Sequence, residues 1–77
     1  MVVLKLDEDT LLLTNEKNKK AAQVFKFNAQ TNEFIADGTI LDMTTLRRSI
    51  RSAGIDKPGD EYFMTDEGTI KRNEPKA

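Results

Sequence analysis

The sequence predicts an α+β fold: a small antiparallel β-meander, or a partly closed barrel, with one α-helix at about 43-53 and a C-terminal β-hairpin. Three observations carry this expectation. Apolar residues alternate with polar ones at Val2, Leu4 and Leu6 and again at Phe25 and Phe27, the period of a strand with one drier face. Met43, Leu46, Ile50 and Ala53 then recur at helical spacing. Finally, Asp66-Glu67-Gly68 separates two short apolar runs, with glycine where a three-residue hairpin loop needs a left-handed residue.

The first hairpin spans "LKLDEDTLLLT". A four-residue loop at Asp7–Thr10 sets Leu6 opposite Leu11 and Leu4 opposite Leu13, placing these four leucines on one face with Lys5 and Leu12 on the other. The lysine-rich stretch "NEKNKKAAQ" reads as a connection, with a short helix from Asn15 as the alternative. A strand follows at "QVFKFN". A turn at Ala29–Asn32 pairs Phe27 with Phe34, Lys26 with Ile35 and Phe25 with Ala36.

Asp37-Gly38 predicts a second tight hairpin, in which Ile35 faces Ile40 and Phe34 faces Leu41. Asp42 supplies an N-cap for the helix. Gly54 supplies a left-handed stop with Ile55 packing back on Ile50, and Pro58 prevents a restart. The helical stripe is expected to cover Phe25, Phe27, Phe34 and Leu41. Residues 1-72 form one domain, and 73-77 lack an apolar anchor and fray. The C-terminal hairpin, "EYFMTDEGTIKR", echoes "EFIADGTI": Phe, Asp, Gly, Thr and Ile align with one gap. Shared turn chemistry explains that echo better than duplication does, because the loops differ in length.

Composition narrows the function. A chain of 77 residues supports one modest core and little spare stability for an elaborate buried site. The formal charge of −1 gives no global pull toward nucleic acid or an acidic membrane. Absence of cysteine and histidine removes thiolate chemistry, disulfides, the commonest general base and the commonest metal ligand. No apolar run is long enough to span a membrane, and the N-terminus does not read as a signal peptide, so a cytoplasmic location is expected. Ser49 and Ser52 have no histidine to activate them, and the glycines are scattered rather than gathered into a phosphate loop. No enzyme activity, cofactor or metal site is expected; the acidic stretches Asp7-Glu8-Asp9 and Asp66-Glu67 read as solvated turn tips.

Surplus apolar surface is the more informative feature. In the expected register, Ile35 and Ile40 share one face beside Lys26, opposite the face the helix covers. Either the sheet curls and buries them in a second layer, or they mark a contact with another protein or a second copy. A small non-enzymatic protein-binding module is therefore expected, with Ile35, Ile40 and Lys26 as its surface. The plain, compact layout suits a regulator or inhibitor of the kind phages and mobile elements encode. A nucleic-acid-binding protein is the alternative, using Arg47, Arg48 and Arg51 on the outer helix face with Lys57 extending the patch. A structural subunit of a larger assembly is the third.

Overall fold

The computed structural model describes residues 2–15, 20–46 and 50–74. Among these residues, seven strands make one antiparallel sheet: β1 (Val2–Asp7), β2 (Thr10–Thr14), β3 (Ala21–Asn28), β4 (Glu33–Asp42), β5 (Arg51–Ala53), β6 (Tyr62–Met64) and β7 (Ile70–Arg72). Their order is β5-β1-β2-β3-β4-β7-β6. The two outermost strands meet through a parallel bridge between Ile55 and Tyr62, so the sheet is a nearly closed barrel.

The chain is therefore not α+β. The helix expected at 43-53 does not form: among the described residues of that stretch, Met43–Thr45 is a 3-10 turn and Arg51–Ala53 is a strand paired with β1. Reach explains the difference. From β4 the chain must arrive beside β1, four strand spacings along the wall, or ~19 Å at the usual ~4.8 Å per strand. An eight-residue helix over 43–50 advances only ~12 Å, whereas extended chain covers the path with length to spare. The apolar stripe still does its packing. Met43, Leu46 and Ile50 lie on Leu12, Ala22 and Val24, together with Leu4, Leu6 and Leu41. Asp42 still caps, accepting from the Thr44 amide at 2.9 Å and the Thr44 hydroxyl at 2.6 Å.

Two apolar layers result. Inside the barrel, β1, β2, β3, β4, β6 and β7 each contribute one buried residue: Val3, Leu11, Phe25, Phe34, Tyr62 and Ile70. Ile55, just past β5, completes the set, so it packs inside the barrel rather than back on Ile50. Phe34 packs edge-on against Tyr62, with centroids 5.8 Å apart at 88°, and against Phe27 at 5.1 Å. Outside the wall lies the second layer, beneath Met43, Leu46 and Ile50.

Those two layers account for the first correction in register. The β1–β2 loop is Glu8-Asp9, with Asp7 accepting from the Asp9 amide at 2.9 Å. Leu11 pairs with Lys5, Leu12 with Leu4 and Leu13 with Val3, and the ladder shifts at Leu6. The expected pairs Leu6–Leu11 and Leu4–Leu13 are absent. A one-residue slip reverses every side chain. Here it sends Leu11 and Leu13 inward and Leu12 outward with Leu4 and Leu6, giving each layer its share of leucines.

The second correction is Asp37-Gly38, which is not a hairpin. β4 runs straight through it as one ten-residue strand, and Asp37, Gly38 and Thr39 bulge opposite the single residue Val24. Gly38 supplies the positive φ, +87°, that the bulge requires. Ile35 pairs with Lys26 and Ile40 with Gln23, so neither isoleucine faces the other. The turn at 29–32 stands as expected, with Phe27 opposite Phe34 and Phe25 opposite Ala36. Likewise the C-terminal hairpin pairs Met64 with Ile70 and Tyr62 with Arg72, with Gly68 at φ +84°.

Gly54 does not take a left-handed φ. A Cβ there would collide with the Asp60 carboxylate, so close approach is what the glycine serves. In the echo, Ile70 is fully buried where Ile40 is exposed, so the matching residues share turn chemistry and not position in the fold.

The Tyr62 ring is fully buried, yet its hydroxyl has no hydrogen-bond partner; Glu61 and Arg72 approach it without reaching bonding geometry. Burial pushes this phenol above its ordinary value. The two halves of the side chain should therefore separate under mutation. Tyr62→Phe is expected to leave stability equal or slightly higher, because it removes an unsatisfied polar atom. Tyr62→Ala is expected to cost about 3–5 kcal/mol through the cavity it leaves. Chemical denaturation of both variants checks this contrast.

Candidate protein-interaction surface

β4 positions the site. On one side it pairs with β3 from Glu33 to Asp42; on the other it meets β7 at a single pair, Phe34–Ile70. Among the described residues, no strand lies against the second side of β4 beyond that pair. Hairpin β6–β7 is short because its loop turns at Thr65–Gly68, where the Gly68 amide donates to the Thr65 carbonyl at 3.0 Å. β4 thus projects past the hairpin.

A hydrogen-bond chain fixes that junction. The Thr69 hydroxyl donates to Glu33 Oε2 at 2.5 Å and lies 2.6 Å from the Thr65 hydroxyl, which also accepts from the Thr69 amide at 3.2 Å. The Thr69 bond holds the Glu33 carboxyl below its ordinary value.

Ile35 and Ile40 are the two large apolar residues exposed among those described, at 36% and 64% of their surface. The expected surface is only partly assembled. Ile35 sits beside Lys26 in a shallow groove that also includes Phe27, Ala29, Gln30 and Asp37. The Lys26 ammonium donates to the Thr10 hydroxyl at 3.2 Å, so its head lies across β2. Ile40 belongs elsewhere. Paired residues share a face of a sheet. Ile35 pairs with Lys26 on the outer face, and Ile40 pairs with Gln23, one residue out of phase, on the inner face. The bulge at Asp37–Thr39 makes the switch.

The cationic alternative does not gather into one face. Arg47 and Arg48 lie outside the described residues, and the helix meant to display them is absent. Arg51 is committed to Glu61, its Nη2 donating to both carboxylate oxygens, at 2.9 and 2.8 Å. That bond, then the charge, raises Arg51 and lowers Glu61 from their ordinary values. Lys57 stands on the 56–60 turn, where its amide donates to Asp60 Oδ2 at 2.8 Å. Its neighbours in the dent beside it include Asp56, Asp60, Glu61 and Glu74, so its surroundings are acidic. Among the described residues, no cluster of three or more His, Cys, Asp or Glu could hold a metal ion, and no helix is long and apolar enough to cross a membrane.

Exposed strand edges are a general expectation for such a sheet, but the hairpin expected at Asp37-Gly38 would have folded 39–41 back on 34–36, and the structure pairs this stretch with β3. A signal was present in Ile40-Leu41, two adjacent apolar residues that a strand must point to opposite faces.

Two outcomes follow from these contacts. Arg51–Glu61 straddles the β5–β6 seam, which is otherwise held by Tyr62 N–H on Gly54 C=O (3.2 Å), Asp56 N–H on Tyr62 C=O (3.2 Å) and Met64 N–H on the Asp56 carboxylate (2.8 Å). Arg51→Ala is expected to speed hydrogen exchange at the Tyr62 and Met64 amides more than at β2 and β3 amides. Equal change in β2, β3 and β6 would contradict a local role at the seam.

The second outcome concerns acid. Glu33 is depressed when folded, so its contribution is present above the ordinary value of 4.5 and is lost as pH falls through the lower folded value. Stability should decline with acidification below that point, and Glu33→Gln should flatten this decline in denaturation curves taken across the acid range.

Comparison with protein-family models, with curated proteins and with solved structures finds no match, so the functional reading rests on the geometry of β4.

Proposed function

We propose that this protein is a small non-enzymatic protein-binding module whose contact surface is built on β4 around Ile40. The observation that carries the reading is the position of Ile40. It is an isoleucine 64% exposed, on a strand with a free side, in a protein that packs most of its large apolar residues into two layers and leaves Ile35 far less exposed, at 36%. Full burial of such a side chain is worth ~1.5–3 kcal/mol, so a partner covering it gains what the isolated fold leaves unused. The Ile35–Lys26 groove on the outer face supplies a second contact that a partner wrapping the strand would meet. No clustered set of catalytic side chains competes with this reading among the described residues.

The experiment is Ile40→Asp. Because Ile40 contributes to neither layer, the change is expected to leave stability within about 0.5 kcal/mol of the parent. It should abolish retention of the protein's stoichiometric partner in affinity capture from its native cell, or abolish self-association in sedimentation. If the variant unfolds, Ile40 is core; if it folds and binds as before, the surface lies elsewhere. Either result removes the reading.

A further inference from the structure

We propose that the free side of β4 takes up an extended, lysine- or arginine-bearing strand of a partner protein, by backbone pairing centred on Ile40. The inference rests on the protein-binding reading above and adds the partner's conformation and charge.

Hydrogen-bond alternation locates the available groups. The Met43 amide donates to the Lys20 carbonyl at 2.8 Å, so that pair is bonded across the β3–β4 boundary. Bonded and non-bonded pairs alternate along an antiparallel ladder. Leu41–Ala22 is then bonded, while Asp42–Ala21 and Ile40–Gln23 are not, and both Ile40 and Asp42 turn their peptide groups away from β3. The other end of the sheet gives the same phase. Phe27 N–H donates to Asp9 C=O on the β2 side, so Phe34, opposite Phe27, faces away from β3, where it meets Ile70.

Local bonds already satisfy part of this edge. The Asp42 carbonyl accepts from the Thr45 hydroxyl at 3.0 Å, and the Thr39 amide donates to the Asp37 carboxylate at 2.8 Å. Ile40 N–H, Ile40 C=O and Asp42 N–H remain, with no strand against them among the described residues. These are the groups through which an added strand pairs.

A bulge is a common device for blunting an edge. It accounts for Asp37–Thr39, where the backbone is distorted. It does not account for the regular stretch Ile40–Asp42, which carries an exposed isoleucine where edge protection would favour lysine.

Charge selects the occupant. β4 carries Glu33, Asp37 and Asp42 and no lysine or arginine. The Asp37 and Asp42 side chains are held by bonds to Thr39 and Thr44, which lower both from their ordinary values and keep them ionised at neutral pH. A second copy fits poorly: antiparallel pairing centred on Ile40 sets Asp42 of each copy beside the Asp37–Gly38 bulge of the other, a like-charge contact. A basic strand turns the same carboxylates into attractive neighbours, with an apolar side chain opposite Ile40.

The test uses the full chain, labelled with nitrogen-15, and three nine-residue peptides. One, the Lys/Val peptide, has Val at its centre to face Ile40, Lys two residues to either side on the same face as Asp42, and Thr elsewhere; the second, the Glu/Val peptide, has Glu in place of those Lys; the third is the Lys/Val peptide with alternate backbone nitrogens methylated. At saturation, the Lys/Val peptide is expected to slow hydrogen exchange at the Ile40 and Asp42 amides by about tenfold or more, equivalent to ~1.4 kcal/mol. The other two peptides should not. Failure of the Lys/Val peptide to slow these amides overturns the basic-strand occupant, and equal slowing by the Glu/Val peptide overturns the charge argument. Slowing that appears with rising protein concentration and no peptide makes a second copy the occupant, and also overturns the proposal. Each of these failures leaves the protein-binding reading standing if Ile40→Asp still abolishes partner capture. That reading falls if Ile40→Asp unfolds the protein or binds normally.

Discussion

Tyr62 joins the two ends of the sheet, and the rest of the structure depends on that junction. Its amide bonds back to Gly54, its carbonyl accepts from Asp56, and its ring fills the barrel against Phe34. Backbone closure and core packing are thereby vested in one residue. A seven-strand sheet of this length would expose two edges if it lay open. Here the Ile55–Tyr62 bridge, the Asp56 carboxylate on the Met64 amide and the Arg51–Glu61 pair shut the seam over a few residues. Asn73 adds to it from the C-terminal side, its amide donating to Glu61 C=O and its side chain to Asp60 C=O. Gly54 permits the approach, since any side chain there would meet Asp60.

Closure at one seam leaves an imbalance at another. Strands β6 and β7 are three residues each, while β4 is ten. A short hairpin cannot line a long strand, so on the side away from β3 part of β4 has no neighbour among the described residues. The opposite mouth is treated differently. There Arg72 lies 4.9 Å from both the Phe27 and Phe34 ring centroids and donates to the Glu8 carbonyl at 2.7 Å, so a cation covers the aromatic end of the core. An isoleucine on the uncovered stretch, and an arginine over the covered end, give the barrel one wet mouth and one apolar margin.

Much of the local structure was legible in the residues. Phe27–Phe34, the hairpin at Gly68 and the capping by Asp42 follow from turn chemistry and alternation that involve near neighbours only. The helix was the largest misreading. Met43, Leu46, Ile50 and Ala53 have helical spacing, but three of them pack on the outer layer and Ala53 on the barrel interior. Spacing reports which residues seek burial; it does not report how far the chain must travel while burying them. Asp37-Gly38 failed for a related reason. The pair supplies the positive φ that either a hairpin or a bulge needs, and only the neighbour β3 decides between them. The candidate surface inherited that error: Ile35 and Ile40 were rightly picked as surplus, and wrongly placed together.

The sequence by itself determined the material: no thiol or imidazole chemistry in these 77 residues, turn residues at their places, and more apolar side chains than one sheet face can hide. The tertiary structure alone decided how that surplus was distributed. Curling the sheet created an inside and a covered outside, which set the β1–β2 register and drew Met43, Leu46 and Ile50 onto the outer face of the wall. It also left Ile40 on the unlined part of β4. Strand order and relative strand length are long-range quantities, fixed by which distant segments pair. No window of local sequence contains them.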